Sequence, residues 1–310
     1  MIEPKVEIIT HSVGPTNIEL VTYLLEYPRF IHGELMTHRV FSRNAASSRA
    51  IPFKTMTKRI QEDGVEIIDY QKRHRGMQGS EVFTGWRREV CELVWEDAKN
   101  SAIECAERLD RIGVTKQIAN RISEPFSTIK VLVTATEWNN FFMLRDHPDA
   151  EIHIQLLARK MKEALDGSTP TRLKQGEWHL PFITEEDIME HRVHDQTYRV
   201  DWDGLLQVSA ARSARTSYLN NYGKKDYNSD YKLYEQLITN EPQHASPIEH
   251  QAQAISEEFS PENMRAYPCD FLEKLSIPDG CELRMKTYKD KEIWSGNFRG
   301  WKQNRKVLEK

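Results

Sequence analysis

The order of apolar and polar positions along the chain predicts short strands first and helices after them. Lys5 to His11 alternates, with Val6 and Ile8 on one side, and Gly14-Pro15 ends the run. Ile18 to Tyr27 is a second β-rich run, stopped by Pro28. Phe30 to Met36 leads from it into a basic stretch. From Thr84 to Ile112, Val90, Val94, Ala98, Ala102, Cys105 and Leu109 recur near the helical period, and Gly113 stands where a C-terminal cap belongs. Thr115 is placed to cap a short helix carrying Arg121, and Ile129 to Val133 reads as a buried stretch. Thr136 is placed to cap a helix bearing Asn140 and Arg145. Pro148 opens a further helix with Ala150, Ile154, Leu157, Met161 and Leu165 on one face, ended by Gly167.

Gly167 to Gly176 is rich in turn residues and reads as the start of a linker. Thr184-Glu185-Glu186-Asp187 looks like a capping box. Near Trp202 a final part begins, with Leu205, Leu206 and Val208 leading into Ala211-Arg212-Ser213-Ala214-Arg215. Ser229 is placed to cap a helix whose Leu233 and Leu237 face inward, and the tail from Phe259 to Lys310 fits no clear element. The expected organisation is therefore an N-terminal part over 1–166, a linker over 167–200 and a C-terminal part over 201–310.

Composition narrows the class. The 310 residues suffice for one large domain or two modest ones. A hydrophobic share of 39% beside 29% charged residues is that of a soluble globular protein, and a net charge of −4 gives no general attraction to nucleic acid or membranes. No apolar run approaches a membrane span and MIEPKVEIIT lacks the form of a signal peptide, so a cytoplasmic protein is expected. The four cysteines (Cys91, Cys105, Cys269, Cys281) form no CxxC pair, in keeping with a reducing compartment, and Cys91 and Cys105 are expected to pack as small apolar groups. His191 and His194 with Asp195 lack a third convincing ligand for a metal and read as solvated helix-end residues.

The candidate chemistry sits in Thr37 to Ala50. The stretch holds Arg39, Arg43, Arg49, His38 and the hydroxyls of Thr37, Ser42, Ser47 and Ser48, with nothing acidic. Planar cationic forks beside hydroxyls and small residues suit phosphate oxygens. The apolar segments on both sides argue against a purely solvated turn.

His38, Arg39, seven residues, then Ser47 and Arg49 resemble the signature of the flavin-dependent thymidylate synthases, with Thr37 in the place of that signature's first arginine. A literal Arg73-His74-Arg75 has Phe83 at the serine spacing and reads as a solvated turn. Four more blocks resemble the same family: Ala211 to Tyr218, His244-Ala245-Ser246-Pro247-Ile248-Glu249-His250, Asn120 to Pro125, and Trp138 to Arg145 continuing into Ala150 to Ile154. Singly each has an ordinary structural alternative. Arg212 and Arg215 would be helix-surface charges, His244 and His250 would shape a turn, Asn140 would be a surface amide, and Arg145 would pair with Asp146 or Asp149.

The resemblance implies an α+β fold, with a mixed or antiparallel sheet flanked by long helices. It also implies a homotetramer that binds a nucleotide but neither nucleic acid nor a membrane. FAD would be the cofactor, with NADPH and methylenetetrahydrofolate as co-substrates, dUMP the substrate and dTMP the product. By resemblance Ser47, Arg49 and Arg121 would hold the nucleotide phosphate, Arg145 would polarise the pyrimidine carbonyls, and Ser47 and Arg145 would carry the catalytic contacts. His38, Arg39, Asn140, Ser217, His244, Ser246 and Glu249 would contact the flavin, and no metal is implied. The Ala211 and His244 blocks precede the His38 block in the family but follow it here, which implies a circular permutation. Phe298 to Arg305 faintly echoes Phe30 to Arg39, as a degenerate second copy or a solvated basic tail.

Departures keep alternatives open. Glu34 stands where many relatives have glutamine and Ala45 where they have glutamate. A carboxylate at a pyrimidine edge suits an exocyclic amine, so a deoxycytidylate substrate or a hydroxymethyl product are alternatives to thymidylate synthesis. A folate-only synthase acting through Pro268-Cys269 lacks supporting residues. An RNA-binding protein using Lys72 to Arg75 on a retired enzyme scaffold is the non-enzymatic rival.

Overall fold

The computed structural model describes residues 3–75, 81–192, 200–216, 226–255 and 294–308. Two long strands form its spine, β1 (Lys5–Val13) and β2 (Glu19–Pro28), antiparallel from Lys5 opposite Glu26 to Val13 opposite Glu19, with an irregularity between Ile8 and Thr10. After a short helix α1 (His32–Met36), the basic stretch itself supplies β3 (Ser42–Ala45). Helices α2 (Phe53–Asp63), α3 (Trp86–Arg111) and α4 (Lys116–Ser123) precede β4 (Thr128–Ala135), which inserts between β3 and β2. Then come α5 (Asn139–Arg145), α6 (Ile152–Asp166) and a two-residue strand β5 (Thr171–Arg172) that joins β1 in parallel. The sheet order is β3-β4-β2-β1-β5, antiparallel except at that last pair. The mixed, mainly antiparallel α+β fold expected from the sequence is the fold found.

β2 is buried on both faces. Val21, Tyr23, Leu25 and Tyr27 join Val131, Val133, Phe141, Ile154, Leu157 and Met161 in the main core, so α5 and α6 cover that side. On the other side Leu20 packs with Ala252, Ala254, Phe298 and Trp301. A second sheet supplies them: β6 (Trp178–His179), β7 (Ala252–Ala254) and β10 (Trp301–Gln303), with β7 in the middle. β8 (Trp294–Ser295) and β9 (Phe298–Arg299) form a hairpin beside it, and a helix Asn304–Leu308 follows. The tail that fitted no element in the sequence thus holds three strands and a helix within 294–308. The stretch 167–200 contributes β5, β6 and α7 (Glu185–Glu190), the last with the predicted capping box between Thr184 and Asp187. Helix α8 (Trp202–Arg215) packs against a short 3-10 turn, Ser246–Glu249, through Ala210, Ala214 and Ile248, while α9 (Tyr227–Tyr234) lies on α8 and leads into Leu237 and Ile238 of the same cluster.

Several helix details differ from expectation, each for a local reason. The inward stripe of α3 runs through Trp95, Ala102, Ile103 and Ala106, whereas Val90 and Val94 are exposed. Trp95 turns the helix: its ring packs on Phe126 and its Nε1 donates to Val65 O at 2.8 Å. Cys105 consequently faces solvent instead of packing inside. Thr136 caps nothing, because its hydroxyl accepts the Arg299 N–H at 3.1 Å and α5 begins only at Asn139. α6 starts at Ile152 and not at Pro148, because the Glu151 carboxylate takes the free N–H groups of His153 and Ile154. In α9 the cap is Asp226, which accepts from Ser229 N. His191 is buried and shares a 2.8 Å hydrogen bond with the Tyr231 hydroxyl, so it is not a solvated end; His194 and Asp195 lie outside the described residues. Among the described residues no group of three or more His, Cys, Asp or Glu side chains could hold a metal ion. No helix among them is long and apolar enough to cross a membrane.

Between the two sheets runs a buried polar chain: Ser12 to His179, His179 to Thr22, Thr22 to Thr134 and Thr134 to His250, at 2.8–2.9 Å. Burial pushes both imidazoles down to about 3, with His11 and His250 adding repulsion at His179. Both rings are therefore neutral in the fold, while in the unfolded chain they take up protons below about pH 6.5. The stability that their neutrality secures is complete above about pH 6.5 and is lost as pH falls toward 3. By pH 5.5 each histidine should cost about 1.4 kcal/mol. Urea unfolding at pH 7.5 and 5.5 checks this; an unchanged midpoint would mean that neither ring is buried neutral.

Candidate functional site

The C-terminal end of α5 meets α1 at Arg145. Its Nη1 donates to Glu34 Oε2 at 2.9 Å, and its Nη2 lies 3.1 Å from Thr37 Oγ1 and 3.4 Å from Glu34 O. Its Nε donates to His38 Nε2 at 3.2 Å. That bond requires His38 to be the neutral tautomer with its proton on Nδ1. Burial holds the His38 ring below its ordinary pKa, aided by repulsion from Arg145 and Arg43. The ring stacks on Phe41 and meets the edge of Phe141, which fixes its plane. Glu34 moves the other way: burial raises its pKa, against the pull of Arg145. Arg145 is thus not paired with Asp146, which bonds Arg159, nor with Asp149, which lies by His147. Thr37 explains itself here, since an arginine in its place would set a second cation against Arg145.

β3 links this cluster to the C-terminal blocks. Arg43 Nη1 donates to the carbonyls of Met36 and His38 at 3.1 and 3.2 Å. Asn44 is buried; its Nδ2 donates to Ser213 O at 2.6 Å and its Oδ1 accepts from the Ser246 hydroxyl at 3.2 Å. Ser42 accepts from Gln303 Nε2 at 2.9 Å and Asn297 Nδ2 at 3.3 Å. The Glu249 carboxylate forms an ion pair with Arg305. His244 and Asn140 are exposed, His244 with its backbone N–H on Leu237 O, and Arg39 is exposed as well. Ser217 lies outside the described residues.

A third group surrounds the loop after β3. Asn120, fully buried on α4, donates to Ser48 O at 2.7 Å and Ile51 O at 3.0 Å, and Lys116 donates to Ala50 O at 3.0 Å. The Ser48 hydroxyl bonds the Glu124 carboxylate. α4 is thereby strapped along the loop that carries Ser47 and Arg49, and both Arg49 and Arg121 present exposed guanidinium groups from this unit. Arg121 lies 4.0 Å from Glu124 and is 55% exposed, so the pair leaves most of the cation open to an anion.

Sequence reasoning missed Asn44, Asn120, Gln303 and Arg305 as joints of this site. Asn44 and Asn120 lay inside or beside the quoted blocks, but amides carry no signature of their own; only their burial reveals them. Arg73, His74 and Arg75 are exposed, as the solvated-turn reading required, and Lys72 pairs with Glu81.

The sequence profile described as thymidylate synthase complementing protein matches residues 12–171, more than half of the chain. The chain belongs to that family. The matched span includes the Thr37–Ala50 stretch, the Asn120 block and the Trp138–Arg145 block, and ends before the Ala211 and His244 blocks. Two solved structures are similar at low identity. A UMP/dUMP methylase PolB from Streptomyces cacaoi bound with 5-Br UMP is 17% identical over 53% of this chain and 89% of that one, with a TM-score of 0.41. The same methylase bound with 5-Br dUMP is 16% identical over 53% and 90%, also at 0.41. No curated protein matches the chain.

Proposed function

We propose that the protein is a flavin-dependent C5 methylase of a pyrimidine nucleotide, with dUMP converted to dTMP. The observation that carries this is the convergence of Glu34, Thr37 and His38 on Arg145, two family blocks brought together by α1 and α5. Family membership points the same way. When bound, reduced flavin supplies hydride and methylenetetrahydrofolate the one-carbon unit, while the ring's C5 hydrogen leaves as a proton.

The residues present fit such groups. The exposed Arg49 and Arg121, carried on a unit that Asn120 ties together, form a cationic clamp for the nucleotide phosphate, with Ser47 beside it. Arg145 aims a planar fork at the pyrimidine, and neutral His38 accepts its Nε–H so that the fork keeps one plane. Asn44, Ser246 and Glu249 form the adjoining wall for the flavin, with Asn140 and His244 at its exposed edges. The protein's part is orientation and charge placement. FAD, NADPH and methylenetetrahydrofolate as partners, a homotetrameric state, and a circular permutation that moved the Ala211 and His244 blocks behind Arg145 all belong to this proposal.

One observation favours a second substrate. Glu34 and Arg145 lie side by side, an acceptor next to a donor, and that pair complements the N4–H and N3 edge of cytosine as well as the N3–H and O2 edge of uracil. The deciding experiment offers dUMP and dCMP together with FAD, NADPH and methylenetetrahydrofolate and reads product masses. dTMP alone bears out the main proposal. A methylated or hydroxymethylated deoxycytidylate keeps the chemistry but moves the substrate, and no product from either nucleotide overturns it.

A further inference from the structure

The segment from the β8–β9 hairpin through β10 into the last helix has no role in the proposed function, yet it is bolted to the wall formed by the family blocks. Gln303 is buried, and both hydrogens of its Nε2 are committed, one to Ser42 Oγ on β3 and one to the carbonyl of Glu249, each at 2.9 Å. The next residue continues the clamp, with Asn304 N donating to Gln251 O at 2.9 Å. Arg305 then pairs with the Glu249 carboxylate, whose side chain is only 16% exposed against 38% for Arg305. Just before them, on β9 of the hairpin, Arg299 Nε lies 2.9 Å from Glu137, and its backbone N–H donates to Thr136. Trp301, fully buried, fixes the whole unit by packing on Leu20 and donating to Ile18 O at 3.0 Å.

Two glycines make this docking possible. Gly296 has φ +62°, and a Cβ there would stand 1.9 Å from Gln303 Oε1, so a side chain would expel the carboxamide from its place. Gly300 has φ +73°, and its Cβ would meet Thr16 Oγ1 at 2.7 Å and Ile18 Cδ1 at 2.8 Å. The segment is therefore shaped for this contact, with the Gln303 amide on β10 and the Arg305 cation on the helix after it as its working groups.

We infer that Arg305 is a positioning residue for the flavin site: it holds the Glu249 carboxylate in place and cancels its charge, so that an anionic cofactor can lie against the Ser246–Glu249 turn. The inference rests on the proposed flavin-dependent function. The physical reason is electrostatic. A half-buried carboxylate without a partner repels a phosphate-bearing ligand and prefers water, so it would swing away from β3. With Arg305 paired to it, and Arg43 of β3 near enough to feel its charge, the wall is net cationic and fixed. The basic tail residue is thus part of the site and not a solvated end.

The test is FAD titration, by quenching of flavin fluorescence, of the full chain and of Arg305→Gln, Arg305→Lys and Arg305→Gln/Glu249→Gln, each with a thermal melt. Arg305→Gln should weaken FAD binding about tenfold or more, because the unpaired Glu249 carboxylate then repels the anionic cofactor. Arg305→Lys should recover most of the affinity. The double variant, which has no unpaired carboxylate, should bind better than Arg305→Gln alone. A merely structural role would instead lower the melting temperature of both Arg305→Gln and the double variant and leave no such ordering in affinity. If the unaltered protein binds FAD and Arg305→Gln binds it equally well, the inference is wrong. If the unaltered protein binds no FAD, the functional proposal falls and takes the inference with it.

Discussion

Arg145→Lys should lower kcat/KM for the pyrimidine nucleotide by about 10²–10³-fold while the protein stays folded. The size follows from what the guanidinium does that an ammonium cannot. One planar group donates simultaneously to His38 Nε2, to the Glu34 carboxylate and to the Thr37 hydroxyl, and its second Nη1 hydrogen is left for the ring carbonyl that it would polarise. Removing one pre-oriented donor from charge that develops during reaction costs about 10²–10³ in rate. Lysine keeps the charge but has no fork, and its ammonium would settle on Glu34. The loss should appear in kcat more than in KM, because the proposed phosphate clamp of Arg49 and Arg121 is untouched. A melting curve separates chemistry from folding: lysine leaves a cation beside Glu34, so no carboxylate is stranded without a partner and the fold should hold. Turnover within threefold of the original would place recognition of the ring elsewhere.

Glu34 makes this prediction sharper. Its carboxylate is the acceptor that distinguishes this site from one lined by a glutamine amide, and burial raises its pKa while Arg145 opposes that rise. Glu34→Gln removes a charge yet keeps the shape, and so should change which pyrimidine competes best without abolishing flavin binding. Competition between dUMP and dCMP in the same tube reads that preference directly.

How much of this was visible in the sequence differs between fold and site. The strands were legible because β1 and β2 alternate or run apolar between clear stops at Gly14-Pro15 and Pro28. The long α3 was legible as a helix, but not its inward face, since Trp95, with its ring on Phe126 and its N–H on Val65 O, decides the rotation, whereas Val90 and Val94 fit the period equally well. The cap of α9 was misplaced because the Asp226 carboxylate, three residues before Ser229, takes the Ser229 N–H. Within the site, the ionic residues of the family blocks could be named from their resemblance to the family. Which of them meet could not: that Arg145 chooses Glu34 over Asp146 depends on α1 and α5 being brought together by Phe41, Phe141 and Trp138 in the core. The tail was illegible because its strands are two or three residues long, too short for any periodicity; β10 is held by β7 and the burial of Trp301, and β8 and β9 hold each other.

The Ala211 block yields the second large effect, and it falls on stability. Arg212 is no surface charge. Its Nη1 and Nη2 grip both oxygens of Asp187 at 2.7 and 2.9 Å, its Nη1 also donates to Phe182 O at 2.7 Å, and its Nε reaches Asp230 at 3.3 Å. Both carboxylates are fully buried. Burial alone would raise the pKa of Asp187, but hydrogen bonds from Arg212, Thr184 and Tyr227 hold its carboxyl well below the usual range. Arg212→Ala would leave Asp187 charged, buried and without its cation, and should cost about 3–5 kcal/mol. Asp230 would be less affected, because Arg215 lies 2.8 Å from its other oxygen. The loss should show as a lower urea midpoint, and should shrink in Arg212→Met/Asp187→Asn, where no buried charge is stranded. If Arg212→Ala were as stable as the parent but had lost flavin, the arginine of this block would belong to the cofactor and not to the frame. The geometry divides the block the other way: Arg212 secures α7, α8 and α9 to one another, and Ser213, through its carbonyl on Asn44, carries that rigidity to β3 and the site.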